Sequence, residues 1–145
     1  MNREKAIRDG FSQGLTGQIN YGGNPVNQYD SVTTGEAGPN EKQYIVYTTQ
    51  SAQFLQHDER HRWQCVLDME IVSKQLGSVS KDIVDDISEQ VEAVILHGSG
   101  IVQQDGWDIQ GVFLDQVQNT EFELSNNFYE ISKILTFQMI ITKLS

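Results

Sequence analysis

The stretch "HRWQCVLDMEIVSK", residues 61–74, decides the fold of this chain. Its odd positions are apolar: Trp63, Cys65, Leu67, Met69 and Ile71. Its even positions are mostly polar, with Val66 and Val72 as the exceptions. Successive side chains of a β-strand point to opposite faces of a sheet. The alternation therefore predicts a long strand with one face in a hydrophobic core, where the Cys65 thiol would be buried and inert.

Three other segments predict further strands of the same sheet. Residues 43–50, "QYIVYTTQ", are dense in β-branched and aromatic side chains and precede the decisive strand. Residues 109–118 predict another strand, in which Gly111 indicates a bulge or a close approach. Residues 126–145 predict the last strand. Both of its faces carry apolar side chains, which is more than one covered face requires; the surplus is Ile134, Ile140 and Leu144.

Two segments have the hydrophobic spacing of helices that pack along one side. Residues 2–16 place Ile7, Phe11 and Leu15 on one stripe, and residues 77–98 do the same with a longer set of valines and isoleucines. Ser80 is the predicted N-cap of the second helix and Gly98 its predicted end.

Two glycines, Gly10 and Gly14, lie within the first predicted helix. Each lowers helix propensity by about 1 kcal/mol relative to alanine. Ordinary docking of this helix on the sheet is the preferred interpretation. The alternative is that the glycines permit a neighbouring segment to approach closely.

The order helix, strand, strand, helix, strand, strand predicts the α+β class. We expect a mostly antiparallel sheet with both helices packed on one face. The length of 145 residues predicts one domain, 1–145. Residues 20–42 hold four glycines, both prolines and four asparagines, and are predicted to form a long flexible loop.

The overall charge excludes some classes of function. With 20 acidic and 10 basic residues the formal net charge is −10. Proteins that bind nucleic acid need basic side chains to replace phosphate counterions, so direct binding of DNA or RNA is disfavoured.

No apolar stretch is long enough to predict a membrane span, and the charged N-terminus lacks a signal-peptide core. A single cysteine excludes an intrachain disulfide.

One cluster, "QHDERHRW" at residues 56–63, is close to the H-E-x-x-H pattern of zinc hydrolases. His57 and His61 would share a metal ion only if a helix placed them side by side. On an extended strand they would be about 13 Å apart, too far for two metal bonds of about 2 Å. We therefore interpret the cluster as a charged hairpin tip and predict no metal, cofactor or catalytic residue. A metal-dependent hydrolase using His57 and His61 is the remote alternative.

The arrangement of the whole chain resembles the tail-terminator (tail-completion) proteins of long-tailed bacteriophages. The resemblance lies in the order, length and hydrophobic pattern of four segments: "YIVYTTQ" (44–50), "RHRWQCVLDMEIVSK" (60–74), "VSKDIVDDISEQVEAVIL" (79–96) and "FYEISKILTFQMIITK" (128–143). It implies a non-enzymatic subunit of a hexameric ring that caps the tail tube and joins it to the head connector. It also implies a place in the virion tail or neck, after assembly in the host cytoplasm. A head-side neck protein between portal and tail is the alternative.

Two groups of residues are predicted to serve such an assembly. The loop and the hairpin tip are expected to contact neighbouring subunits or partner proteins, through Tyr21, Asn24, Tyr29, Val32, His57, Asp58, Glu59 and Arg60. The second helix carries an acidic face, which is either solvated exterior or the lining of a lumen through which DNA passes without specific binding: Asp82, Asp85, Asp86, Glu89 and Glu92.

Overall fold

The computed structural model describes residues 1–30, 42–55, 61–77, 79–125 and 127–144. It contains two helices and seven strands within these ranges: α1 (Arg3–Leu15), β1 (Asn20–Tyr21), β2 (Asn24–Pro25), β3 (Asn27–Tyr29), β4 (Gln43–Phe54), β5 (Arg62–Leu76), α2 (Asp82–Ile95), β6 (Trp107–Ser125) and β7 (Phe128–Lys143). Val32 and the tip residues 56–60 lie outside the described ranges.

The predicted α+β class is confirmed. Five strands form one sheet in the order β3-β4-β5-β7-β6, and every neighbouring pair is antiparallel except β3 with β4. Both helices contribute to a single large core that also contains the odd-numbered apolar residues of β5 and β7. One face of the sheet is thus covered by helices. The other is called the helix-free face below.

The decisive strand behaves as its alternation predicts. Cys65, Leu67, Met69 and Ile71 are all buried, and Trp63 at the start of β5 is partly buried against the same core. Antiparallel pairing places Leu67 opposite Phe137 of β7, whose ring lies 5.3 Å from that of Phe11 in α1. The core is therefore built across β5, β7 and α1 from residues far apart in sequence.

Two strands are longer than predicted. β4 continues to Phe54, and β6 runs over Trp107–Ser125. The added residues are mostly polar, so no hydrophobic pattern marks them in the sequence. Backbone pairing with β5 and β7 carries them onward.

The prediction of one loop over residues 20–42 is wrong for its first part. β1 and β2 form a small hairpin whose turn uses Gly22 and Gly23 at positive φ, and β3 pairs in parallel with β4. These strands are two or three residues long and polar. Their pairing gives no hydrophobic period that a sequence could display.

The second helix begins one residue later than predicted, because its N-cap is Lys81 and not Ser80. The helix runs from Asp82, and Ser80 Oγ accepts a hydrogen bond from the Asp82 N–H at 3.2 Å. The Gln75 side chain at the end of β5 holds Ser80 by two further bonds, to its carbonyl at 2.7 Å and from its N–H at 3.0 Å. The end of β5 is thus bonded to the residue that precedes the N-cap of the helix.

The two glycines of α1 permit a neighbouring segment of the chain to approach the helix closely, which is the alternative that the sequence left open. Both are buried, and the Val102 N–H donates to the Gly10 carbonyl at 3.0 Å. A Cβ atom on Gly14 would lie 2.6 Å from the Gly100 carbonyl oxygen. The segment after α2 thus crosses α1 at a distance that only glycine allows.

Neither helix in the ranges given above is long and apolar enough to cross a membrane.

Candidate interaction surfaces

The predicted contact residues of the loop lie in different parts of the structure. Tyr21 is partly buried against the main core and belongs to β1, which is tied to α2 by hydrogen bonds between Asn20 and Gln90 at 2.8 and 2.9 Å. Asn24 is exposed in the small hairpin. Tyr29 packs edge-on against Tyr44, with ring centroids 6.1 Å apart, on the helix-free face. These residues do not form one surface, and Val32 lies outside the described chain.

The base of the predicted tip is an aromatic cluster. Trp63 contacts Phe54 across the β4–β5 hairpin at 5.5 Å, His61 stacks on it at 6.0 Å, and Trp107 lies 6.2 Å away. The guanidinium of Arg3 lies over the Trp63 ring at 4.9 Å. His57, Asp58, Glu59 and Arg60 themselves lie outside the described ranges.

The metal interpretation depends on His57, which lies outside the described ranges. β4 and β5 are paired in antiparallel up to Phe54 and Trp63, at the base of the predicted tip. His61 is engaged with an indole ring, and within the residues that the structure describes no group of three or more His, Cys, Asp or Glu side chains could hold a metal ion.

The acidic face of α2 is partly neutralised from within the chain. The Asp85 carboxylate pairs with Lys133 Nζ of β7 at 2.8 Å, and Asp86 accepts a hydrogen bond from Gln90 at 2.9 Å. Asp82 and Glu89 are exposed, whereas Glu92 is half-buried beside Ser88. The face is therefore an exposed acidic surface with one internal counterion.

The negative charge is concentrated in one part of the sequence. Residues 82–132 contain no lysine or arginine but hold eleven of the 20 acidic residues: Asp82, Asp85, Asp86, Glu89, Glu92, Asp105, Asp108, Asp115, Glu121, Glu123 and Glu130. The remaining nine acids are balanced by the ten bases elsewhere. The net charge of the chain thus arises from α2, β6, the segment that joins them and the start of β7.

The helix-free face, which carries the surplus apolar residues Ile134 and Ile140 noted in the sequence, has a different composition. Strand pairing aligns its middle rows as Gln53–Gln64–Ile140–Gln110, then Ser51–Val66–Gln138–Phe113, then Asp68–Thr136–Gln116. Asp68 accepts a hydrogen bond from the Thr136 hydroxyl at 2.6 Å, and Gln64 donates to Gln138 at 2.8 Å. The middle of this face therefore contains amides, hydroxyls and apolar groups, with one carboxylate that is already bonded.

One end of this face holds a partly desolvated carboxyl group. Glu130 lines a groove with Tyr44, Val72 and Glu70. Burial raises the pKa of Glu130 above its usual value, the nearby Glu70 raises it further, and Lys74 partly opposes both. The charged form is thus disfavoured in the folded chain.

We expect Glu130→Gln to raise the melting temperature at pH 7. A raised folded-state pKa means that ionised Glu130 destabilises the folded chain above that pKa. The penalty disappears as the pH falls through the raised pKa towards the unfolded value of about 4.5. Thermal unfolding between pH 4 and pH 8 should therefore show the largest difference at the alkaline end. Glu121→Gln, at an exposed position of β6, is the control. An equal, pH-independent gain in both variants would contradict the assignment.

Comparison with known proteins gives a match in structure and none in sequence. No protein-family model matches the chain, and no curated protein is similar to it. A chain in the solved structure titled "Virion of native gene transfer agent (GTA) particle" has the same fold, with a TM-score of 0.70. The two chains are 13% identical, and the match covers 96% of each. At that identity the comparison shows the shared fold alone.

Proposed function

We propose that this chain is a structural protein of a phage-like virion, and that it acts as a tail terminator. In this role it forms a ring that caps the tail tube and meets the head connector. The observation that carries the proposal is the match over 96% of both chains to a component of a gene transfer agent virion. The order of elements that resembles tail terminators, α1 through β7, supports the same role.

The surface chemistry is compatible with a passive channel for DNA. Six copies would carry a formal charge of about −60, six times −10. A negatively charged ring offers few of the basic contacts that hold phosphates, so DNA would pass without specific binding. The exposed carboxylates of Asp82, Asp86 and Glu89 are the candidates for a lumen lining, and the predicted loop and tip contacts remain candidates for the joints between subunits.

The proposal can be tested with tail-tube protein from the same phage. We expect the purified chain to form rings of about 98 kDa, six times 16.4 kDa, and to shorten the tubes when added during their polymerisation. Electron microscopy would show the ring at one end of each tube. Unchanged tube length, with binding to the portal instead, would favour the head-side neck role.

A further inference from the structure

The position of Phe113 on β6 breaks the alternation of its strand. On either side of it, odd-numbered residues face the helices: Ile109 lies opposite Ile141, and Val117 opposite Leu135, both core residues of β7. Phe113, although odd-numbered, lies opposite Gln138 on the helix-free face. A large aromatic side chain is thus turned away from the core and is 48% exposed.

Two β-bulges cause this reversal. One extra residue is inserted between Gln110 and Phe113, where Gly111 has a φ of 64°, and a second between Leu114 and Gln116. The first insertion switches the faces and the second restores them. Bulges that re-aim a side chain are features of function more often than defects. Without them Phe113 would point towards the helices.

Within the described chain, the apolar side chains in the middle rows of the helix-free face form one band, and Phe113 belongs to it. Val66 is half-buried in the row of Phe113, and Ile140 in the next row is 37% exposed. Leu144, beyond the end of β7, is 52% exposed, and Ile134 is half-buried on the far side of the Asp68–Thr136 row. Arg62, Thr142 and Gln110 line a groove of about 290 Å³ beside Ile140. The rows around Phe113 carry no charge of their own, and the nearest carboxylate, Asp68, is bonded to Thr136. A centre depleted of charge, with an aromatic anchor and a polar rim, is the composition of a protein interface core.

We propose that this face, centred on Phe113, is where a second copy of this chain docks. The inference rests on the proposed ring, and it names the surface that forms the joint. Charge favours this face for the joint. Two copies that each carry −10 repel through α2 and the acidic parts of β6, so a neighbouring copy docks at lowest cost against the middle rows, which present amides and apolar groups. The ends of the face carry both signs, Arg62 with Asp108 and Lys74 with Glu130, which suits a neutral rim.

The test compares two positions of the same strand. Phe113 and Val117 have similar exposure, 48% and 41%, but lie on opposite faces of the sheet. We expect Phe113→Asp to weaken self-association at least tenfold in sedimentation equilibrium, the size of effect typical of an interface anchor. Val117→Asp should change it less than about twofold. Equal melting temperatures would show that neither exposed substitution unfolds the chain.

A photo-crosslinking amino acid at position 113 provides the second measurement. We expect it to form covalent dimers of this chain, and the same probe at position 117 to form none. A ring that persists in Phe113→Asp, without dimers from the 113 probe, would overturn the docking surface and leave the ring intact. A chain that stays monomeric up to about 1 mM would overturn both. Crosslinks from position 113 to tail-tube protein alone would identify a different occupant and overturn the second-copy assignment.

Discussion

Replacing Phe137 by alanine is expected to lower the free energy of unfolding by about 3–5 kcal/mol. Phe137 is fully buried on β7, between Leu67 of β5 and Leu114 of β6, and its ring contacts Phe11 of α1. Its loss would leave a cavity where three strands and a helix meet. Since a domain of this size is stable by about 5–15 kcal/mol, a large part of that stability would be removed.

Urea unfolding followed by tryptophan fluorescence would measure this loss, because Trp63 and Trp107 both pack at one end of the same core. Phe113→Ala, measured at a protein concentration at which all variants are monomeric, is the matched control. It removes the same type of side chain from the neighbouring strand β6, one row away, but on the exposed face of the sheet. We expect it to lower the free energy of unfolding by less than about 1 kcal/mol. Similar losses in the two variants would contradict the assignment of the two faces.

The parts of the fold that could be predicted are the helices and strands that have one buried face and one face exposed to solvent. The β5 strand and helix α2 alternate at periods of 2 and 3.6 residues because each packs one side on the core. The short strands β1–β3 could not be found in this way. Their residues are polar, and their pairing is set by the backbone and by the neighbouring β4.

The candidate surfaces were predicted less well than the fold. The sequence shows that α2 is acidic, but it cannot show that Lys133, 48 residues further along, neutralises Asp85. Gly111 did indicate a bulge, and that prediction is confirmed. The first bulge alone turns Phe113 to the helix-free face, and the second, after Leu114, has no glycine to mark it. The rows of this face, with Phe113 among them, are defined only by the pairing of four strands.

The sequence alone is also insufficient at α1, where helix propensity and packing predict opposite effects of an alanine substitution on stability. In an isolated helix Gly14→Ala would stabilise by about 1 kcal/mol. In the folded chain the new Cβ would lie 2.6 Å from the Gly100 carbonyl oxygen and 3.2 Å from the Ile101 Cα, both backbone atoms that cannot rotate away. Overpacking of this kind costs about 1–3 kcal/mol. We therefore expect Gly14→Ala to lower the free energy of unfolding.

Gly10→Ala provides the graded comparison within the same helix. Its Cβ would lie 3.0 Å from the Val102 carbonyl oxygen, so a smaller backbone shift relieves the contact. Urea unfolding should rank the wild type as most stable, Gly10→Ala next and Gly14→Ala last. Stabilisation by both alanines would mean that propensity dominates and that residues 100–102 do not lie against α1. The expected order instead follows from close packing, because the two glycines form the groove in which that segment lies.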